Sequence, residues 1–219
     1  MQKYRPILII GFVLAVTVAG LFFLLRARTN GEFAGTKTQS ATEDKSKIPE
    51  GVVVTLEEFG DYQCPPCGGL HPSLKKMKQE FGANLNFVFR NLPLTTLHKN
   101  ALAAAQAAEA ARMQSHFWEM HDLLYENQDL WKDDINPKSI FVKFAEDLGL
   151  DTARFARDMD DKQVNLRIEA DRSAAAELGI DGTPTILIEG RKLLPEVTNP
   201  DGIRKGIEFT LSRKKPSPS

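Results

Sequence analysis

The stretch that decides the fold reads Glu58-Phe59-Gly60-Asp61-Tyr62-Gln63-Cys64-Pro65-Pro66-Cys67-Gly68. It contains both cysteines of this 219-residue chain, Cys64 and Cys67, with two prolines between them. A strand-like run of β-branched residues precedes the pair, and a helix-like run follows it. The sequence therefore predicts that both sulfur atoms lie at a junction between a strand and a helix.

Two cysteines this close together have few uses. A disulfide across so short a loop would stabilise the chain by only about 2 kcal/mol, against about 3 kcal/mol for a fifteen-residue loop. Structural zinc needs four ligands, and none of the four histidines (His71, His98, His116 and His121) makes a second pair at CxxC-like spacing. A purely structural bridge and a zinc site are thus less favoured than a dithiol that opens and closes.

Length and composition predict one globular domain plus an additional segment. The formal net charge is -1, and 42% of the residues are hydrophobic. A nearly neutral chain has no basic excess with which to neutralise phosphates, so we expect no nucleic-acid partner. We also expect no cofactor and no metal site.

The additional segment lies at the N-terminus. Residues 7–25 form a 19-residue stretch without charge, with two basic residues on each side. Spanning a bilayer takes about 20 residues, whereas the apolar core of a signal peptide has about 7 to 15. An uncleaved transmembrane anchor is therefore favoured over a signal peptide cut after a small residue such as Ala19 or Gly20.

Both interpretations of this segment carry the rest of the chain across a membrane. Disulfides persist outside the cytoplasm, so we expect a single-pass protein of the bacterial cell membrane whose catalytic domain is periplasmic or extracellular. The predicted organisation is a tail and anchor over 1–28, a linker over 29–47, a domain over 48–212 and a disordered tail over 213–219. Within the domain, a helical insertion is expected at about 95–178.

The first half of the domain predicts a strand, a helix and a second strand. Val52 to Phe59 fits a buried strand. Pro65 or Pro66 is placed in the first turn of a helix that Gly82 ends. Leu85 to Phe89 is the second strand, and so short a connection implies a parallel pair with a right-handed crossover.

The second half predicts a helical block followed by a hairpin. Asn100, Asn136 and Asp151 are each placed to cap a helix, and another helix is expected at about 162–178. Thr185 to Leu194 fits a hairpin that turns at Gly190. A last helix, at about 200–212, would cover the sheet.

Four aromatic residues of the helical block allow two interpretations. They are Phe117, Trp118, Tyr125 and Trp131. A peptide-binding groove is one, but core packing is favoured, because Trp118 and Tyr125 are seven residues apart and fit one buried helix face.

The position of Cys64 at the start of a helix predicts its chemistry. Free amide groups and the helix dipole favour a negative sulfur there, and the pKa of such cysteines falls from about 8.5 to about 3.5–7.5. Cys67, one turn further on, should be more buried and keep a higher pKa. Cys64 is then the sulfur that attacks or is attacked, and Cys67 closes or resolves the bond.

Two further residues lie close to the dithiol in sequence. Glu58, on the entering strand, could exchange a proton with Cys67 through water, or it could be exposed or paired with a lysine. His71, four residues after Cys67, could share the same helix face, although a surface or packing role is favoured.

Residues 58–68, the helical block and Gly182-Thr183-Pro184-Thr185 together resemble the DsbA-like branch of the thioredoxin superfamily, including its membrane-anchored BdbD type. The resemblance covers about residues 48–212 and implies an α/β thioredoxin-like fold with an inserted α-helical domain. It also implies that Thr183-Pro184 is a cis-proline loop facing the dithiol and that Glu58 is a buried acid. The chain departs from DsbA at Pro66, where DsbA has a histidine that makes it a strong oxidant.

The resemblance implies thiol-disulfide exchange, and we expect a monomeric enzyme that introduces disulfide bonds into unfolded or reduced exported proteins. It further implies reoxidation by a quinone-linked membrane partner of the DsbB or vitamin K epoxide reductase type. Two alternatives stay open. One is a reductase or isomerase on the same fold, in which Glu58 helps Cys67 to deprotonate. The other is an envelope copper-binding module that uses both thiols, with His71 as a third ligand.

Overall fold

The computed structural model describes residues 51–214, and the element labels count from there. The strands are β1 (Val54–Gly60), β2 (Leu85–Asn91), β3 (Thr185–Ile188) and β4 (Arg191–Lys192). The helices are α1 (Pro65–Phe81), α2 (Ala101–Arg112), α3 (Phe117–Glu126), α4 (Gln128–Trp131), α5 (Pro137–Asp147), α6 (Thr152–Asp158), α7 (Lys162–Glu177) and α8 (Pro200–Arg213). Two 3₁₀ turns, Gly82–Asn84 and Pro195–Val197, complete the regular structure.

The four strands form one mixed sheet in the order β2-β1-β3-β4. The pair β1 and β2 is parallel, and α1 is the connection between them, as predicted. The strands β3 and β4 form the predicted hairpin through Gly190, which has a φ of 71°. Since β3 runs antiparallel to β1, the strand that leads into the cysteines lies in the middle of the sheet.

The alternation of β1 determines where Glu58 lies. Successive side chains of a strand point to opposite faces, so Glu58 shares a face with Val54 and Leu56. Those two residues belong to the hydrophobic core that includes Leu70 and Leu74 of α1. Glu58 therefore lies on the face that α1 covers, and only 1% of its surface is exposed.

The helices α2 to α7 form the block between β2 and β3. All three predicted residues directly precede their helices, but only one side chain makes a capping hydrogen bond. The Asn100 amide instead donates to the carbonyl oxygens of Trp131, Lys132 and Asp134 at 2.9–3.1 Å. The Asn136 side chain also makes no capping hydrogen bond. Asp151 does cap α6, accepting from the Arg154 N–H at 2.8 Å.

The aromatic residues of the block are mainly core. Phe117, Tyr125 and Trp131 are buried in the cluster that also contains both cysteines. Trp118 is different, because it is only half-buried and the Lys78 ammonium lies 3.3 Å from its ring centroid. The prediction of core packing thus fits three of the four side chains.

Several predictions concern residues outside the described part. The anchor or signal peptide at 7–25, the linker at 29–47 and residues 215–219 of the tail lie there. Within residues 51–214, none of the helices combines the length and the apolar character that crossing a membrane requires.

Candidate active site

The dithiol lies where β1 passes into α1. Cys64 is the residue before the first helical turn, and Pro65 and Pro66 occupy the first two helical positions. Proline lacks an N–H group and fits this turn without losing a helical hydrogen bond. The backbone N–H of Cys67 is therefore the first one that the helix offers to the Cys64 sulfur.

The loop before β3 is far from the cysteines in sequence but lies next to the dithiol in the fold. The peptide bond between Thr183 and Pro184 is cis. The Cys64 thiol lies 3.5 Å from the carbonyl oxygen of Thr183. The buried Thr183 hydroxyl has no hydrogen-bond partner within the described chain, so it is available to a Cys64 thiolate.

Hydrogen bonds lower the pKa of Cys64 from 9.0 to about 6. The largest contribution comes from the Cys67 thiol, and the Thr183 side chain and the Cys67 backbone N–H add to it. Partial burial of the sulfur opposes them. At pH 7 a thiol with this pKa is about nine-tenths ionised, so Cys64 is the nucleophile of the pair.

Cys67 has the opposite environment. Its side chain is fully buried, and this burial raises the pKa of its thiol far above the usual range. Donation of its S–H to Cys64 and the negative charge of Glu58 raise the pKa further. The two thiols are free, and they share one ionisation that resides on Cys64.

Glu58 is a buried carboxyl beside this pair. Burial raises its pKa from 4.5 to about 8, and the Cys64 charge contributes in the same direction. Its Oε1 has no hydrogen-bond partner among the described residues. A carboxyl that is protonated near pH 7 and close to Cys67 can give up or accept a proton during the reaction of that thiol.

Asp61 is a site residue that the sequence reasoning did not single out. Its fully buried carboxylate accepts from the Gln63 N–H at 2.7 Å and the Leu94 N–H at 2.9 Å, and it lies 2.8 Å from Nδ1 of His98. These bonds hold the segment after β2 against the dithiol. An acidic residue three positions before Cys64 was a visible signal, but its partners are 33 and 37 residues away.

His71 is buried, with 4% of its surface exposed. Its ring stacks on that of Tyr125 at 5.0 Å and lies edge-on to His121 at 5.2 Å. Burial lowers the pKa of both imidazoles. His71 is therefore a packing residue, as favoured from the sequence, and neutral in this environment.

Comparison with known proteins identifies the family. The sequence profile of the family described as Thioredoxin matches residues 52–208, which span the strand before the dithiol, the helical block and the hairpin. The chain belongs to the thioredoxin family. This membership and the geometry of Cys64 and Cys67 support thiol-disulfide exchange as the chemistry of the site.

Solved structures support the same fold. BdbD from Bacillus subtilis is 23% identical, with a TM-score of 0.65 over 77% of this chain and 95% of that one. A thioredoxin-like oxidoreductase from Silicibacter pomeroyi is 25% identical, with a TM-score of 0.58 over 74% and 93% of the two chains. The predicted thioredoxin-like fold with a helical insertion is thus confirmed.

The curated relatives are named as antiporters. A segment of the Na(+)/H(+) antiporter NhaA 1 of Salinispora arenicola is 39% identical over 149 residues, which are 68% of this chain and 22% of the antiporter. The antiporter NhaA of Herminiimonas arsenicoxydans is 34% identical over 150 residues, 23% of its length. This chain therefore spans less than a quarter of these two relatives.

Proposed function

We propose that this protein is a thiol-disulfide oxidoreductase that acts outside the cytoplasm, mainly as a dithiol oxidase that introduces disulfide bonds into unfolded or reduced exported proteins. The observation that carries the proposal is the position of Cys64 at the start of α1 and beside Thr183, where hydrogen bonds lower the pKa of its thiol to about 6. Stabilising the Cys64 thiolate stabilises the reduced enzyme relative to its disulfide. An enzyme with a stabilised reduced form gives its disulfide away readily.

The reaction consists of two exchanges. A substrate thiolate attacks Cys64 of the oxidised enzyme, which forms a mixed disulfide and releases the sulfur of Cys67. That sulfur takes up a proton, for which Glu58 is the nearby donor. A second substrate thiolate then attacks the substrate sulfur of the mixed disulfide, and Cys64 leaves as a thiolate. The substrate loses two electrons, and the enzyme ends as the dithiol.

A groove beside the dithiol supports a polypeptide substrate. Its volume is about 410 Å³, and Pro66, Leu70 and Pro184 line it on the side of the cysteines. Leu193 and Pro195, which follow β4, line the other side. Most of its lining is apolar, which suits an extended, unfolded segment better than a folded surface.

Location and reoxidation are part of the proposal. The 19 uncharged residues at 7–25 support a single-pass membrane anchor. The antiporter relatives carry a similar segment within a membrane transporter. Since each turnover leaves two electrons on the dithiol, an electron acceptor is needed, and we propose a quinone-linked membrane reoxidase of the DsbB or vitamin K epoxide reductase type. We assign no ion transport to this chain, because the match covers under a quarter of each antiporter.

Trapping the redox state in intact cells tests the direction of electron flow. Cells are quenched with acid, and free thiols are alkylated with a reagent that shifts the protein on a gel. A pair that is mostly oxidised supports the oxidase, and a mostly reduced pair supports a reductase or isomerase. Equilibration of the purified dithiol with glutathione buffers checks the same point in vitro.

A matched pair of variants tests the role of each sulfur. Cys67→Ser should accumulate mixed disulfides with exported proteins, because it keeps the reactive Cys64 and lacks the sulfur that resolves the mixed disulfide. Cys64→Ser should not, because the remaining Cys67 is buried and its thiol pKa is raised. Equal trapping by both variants would contradict the assignment of Cys64 as the exchanging sulfur.

The copper-binding alternative has less support. It required His71 beside the two thiols, but His71 contacts Tyr125 and His121 instead. Within residues 51–214, the group of three side chains that could hold a metal ion includes neither cysteine.

A further inference from the structure

A second cavity, of about 310 Å³, lies between α1, α3 and β2. Three of the side chains that line it are possible metal ligands, namely His71 from α1 and His121 and Asp122 from α3. One ligand atom from each lies within 4.8 Å of the other two. We propose that these three side chains form a binding site for one divalent transition-metal ion of the zinc or copper type, separate from the dithiol and independent of the proposed function.

The strongest sign is the unsatisfied nitrogen of His71. Nε2 of this buried imidazole has no hydrogen-bond partner in the described chain. The nearer of its two carboxylate neighbours, Oδ1 of Asp122, is 3.5 Å away, which is beyond a good hydrogen bond. Buried polar atoms are almost always paired, and a metal ion between this nitrogen and the carboxylate would supply the missing partner.

His121 is already oriented for binding through its other nitrogen. Nδ1 lies 3.0 Å from the hydroxyl of Tyr62, so Nε2 is left to act as the ligand. Histidines that bind metals commonly use their second nitrogen in this way, and the second contact fixes the orientation of the ring.

Asp122 can bind through one oxygen and keep its present partner on the other. Oδ2 pairs with the Lys75 ammonium at 2.8 Å, while Oδ1 lies on the side of His71. Lys75 is also 2.7 Å from Glu126, so two carboxylates balance its charge. The site therefore has no excess positive charge from Lys75 to repel a cation.

The ligand set selects the class of ion. Two imidazoles and one carboxylate suit zinc or copper(II), whereas calcium and magnesium prefer oxygen ligands. Bonds of 2.0–2.1 Å imply ligand atoms about 3.3 Å apart around tetrahedral zinc. The three side chains must therefore move inward by about 1 Å, and the cavity leaves the fourth position open to water.

Titration of the full-length chain, purified without a polyhistidine tag, tests the site. The protein is first oxidised to the Cys64–Cys67 disulfide, so that no thiolate binds the ion. Calorimetry with Zn²⁺ should show one equivalent bound. The electron paramagnetic resonance spectrum with one equivalent of Cu²⁺ should show coupling to two imidazole nitrogens. Absence of saturable Zn²⁺ binding, or a copper spectrum without nitrogen coupling, overturns the proposal.

Variants assign the ligands. Asp122→Asn and His71→Phe should each weaken Zn²⁺ binding at least about tenfold, and Tyr62→Phe about 10- to 100-fold through the orientation of His121. His116→Gln, a histidine outside the cluster, should bind as the unmodified chain does. Asp122 is half-buried and already solvated in part, so Asp122→Asn remains informative if His71→Phe does not fold. Unchanged affinity in Asp122→Asn overturns the site.

Discussion

The hydroxyl of Tyr62 lies 3.0 Å from Nδ1 of His121, whereas the hydroxyl of its neighbour Tyr125 is buried without a hydrogen-bond partner in the described chain. The two rings pack against each other at 4.9 Å. Both tyrosines are 5% exposed or less, so burial of their rings is equivalent. The two tyrosines differ mainly in whether the phenol oxygen has a hydrogen-bond partner.

This difference predicts opposite effects of removing each hydroxyl. Tyr62→Phe loses a hydrogen bond and leaves a buried imidazole nitrogen unpaired, which should lower the free energy of unfolding by about 1–3 kcal/mol. Tyr125→Phe removes an unpaired buried oxygen and should be neutral or stabilising. Urea denaturation of the two variants measures both values, and a larger loss in Tyr125→Phe would contradict the description of this cluster.

Glu58 predicts a pH dependence of stability. Its pKa is about 8 in the folded protein and 4.5 as an ordinary glutamate, so between these values the folded state holds a proton that the unfolded state has lost. Stability from this group therefore falls as pH rises from 4.5 to 8, at up to about 1.4 kcal/mol per unit. Glu58→Gln should abolish this loss, so its free energy of unfolding should increase relative to that of the unmodified chain as the pH rises.

Measurement of that gain uses urea denaturation of the reduced protein at several pH values. Cys64 acts in the opposite direction, because a thiol pKa lowered from 9.0 to about 6 adds stability between those values. Subtracting the free energy of unfolding of the unmodified chain from that of Glu58→Gln removes the Cys64 contribution to first order. Glu177→Gln, an exposed residue of α7, is the control. A difference that stays constant from pH 5 to pH 8 would show that Glu58 is not the buried acid.

The groups around Cys64 predict an order of effects on its pKa. Cys67→Ala removes the largest stabilising contribution and should raise the Cys64 pKa most, and Thr183→Val should raise it less. The pH dependence of alkylation rate, or of thiolate absorbance, gives each value. Cys67→Ser, which keeps an O–H donor, should lie closer to the unmodified protein than Cys67→Ala does. A Cys67→Ala pKa at or below about 6 would exclude the thiol of Cys67 as the donor.

The two prolines predict how the thiolate could be stabilised further. The side chain before a helix accepts hydrogen bonds from the second and third helical residues, and Pro66 occupies the second. Pro66→Ala restores an N–H there and should lower the Cys64 pKa by about one unit, the equivalent of one added hydrogen bond to a charged group. Pro65→Ala, at the first helical position, is the matched control and should change the pKa less. Equal shifts in both variants would indicate a general backbone effect.

The reduction potential should follow the same change. A lower Cys64 pKa stabilises the dithiol form, so Pro66→Ala should be the stronger oxidant in a glutathione equilibrium. An unchanged equilibrium in a variant with a lowered pKa would disconnect the ionisation of Cys64 from the oxidase proposal.

Elements with local signals could be predicted from the sequence. The helix from Pro65 to Gly82 and the hairpin at Gly190 depend on proline, glycine and apolar spacing, which act over a few residues. The lack of a capping hydrogen bond from the Asn100 and Asn136 side chains could not be predicted in this way. The Asn100 amide is needed by carbonyl groups more than 30 residues away, and this tertiary demand overrides its local preference for capping.

The candidate site shows the same division. Cys64, Cys67 and their unequal reactivity follow from the junction of strand and helix. The burial of Glu58 depends on which face of β1 the helix α1 covers. Asp61, Tyr62 and His121 act through partners 33 to 59 residues away, and a single sequence contains no signal for such contacts.

The position of β1 has a consequence for biosynthesis. One edge of β1 pairs with β2, which follows closely in sequence. The other edge pairs with β3, which is synthesised much later and places Ile186 opposite Glu58. A chain that emerges N-terminus first thus presents its dithiol more than 100 residues before Thr183 is available. Until β3 is inserted, Cys64 lacks the Thr183 hydroxyl that helps to stabilise its thiolate. The Cys64 thiolate therefore reaches its full stabilisation only after β3 has joined the sheet.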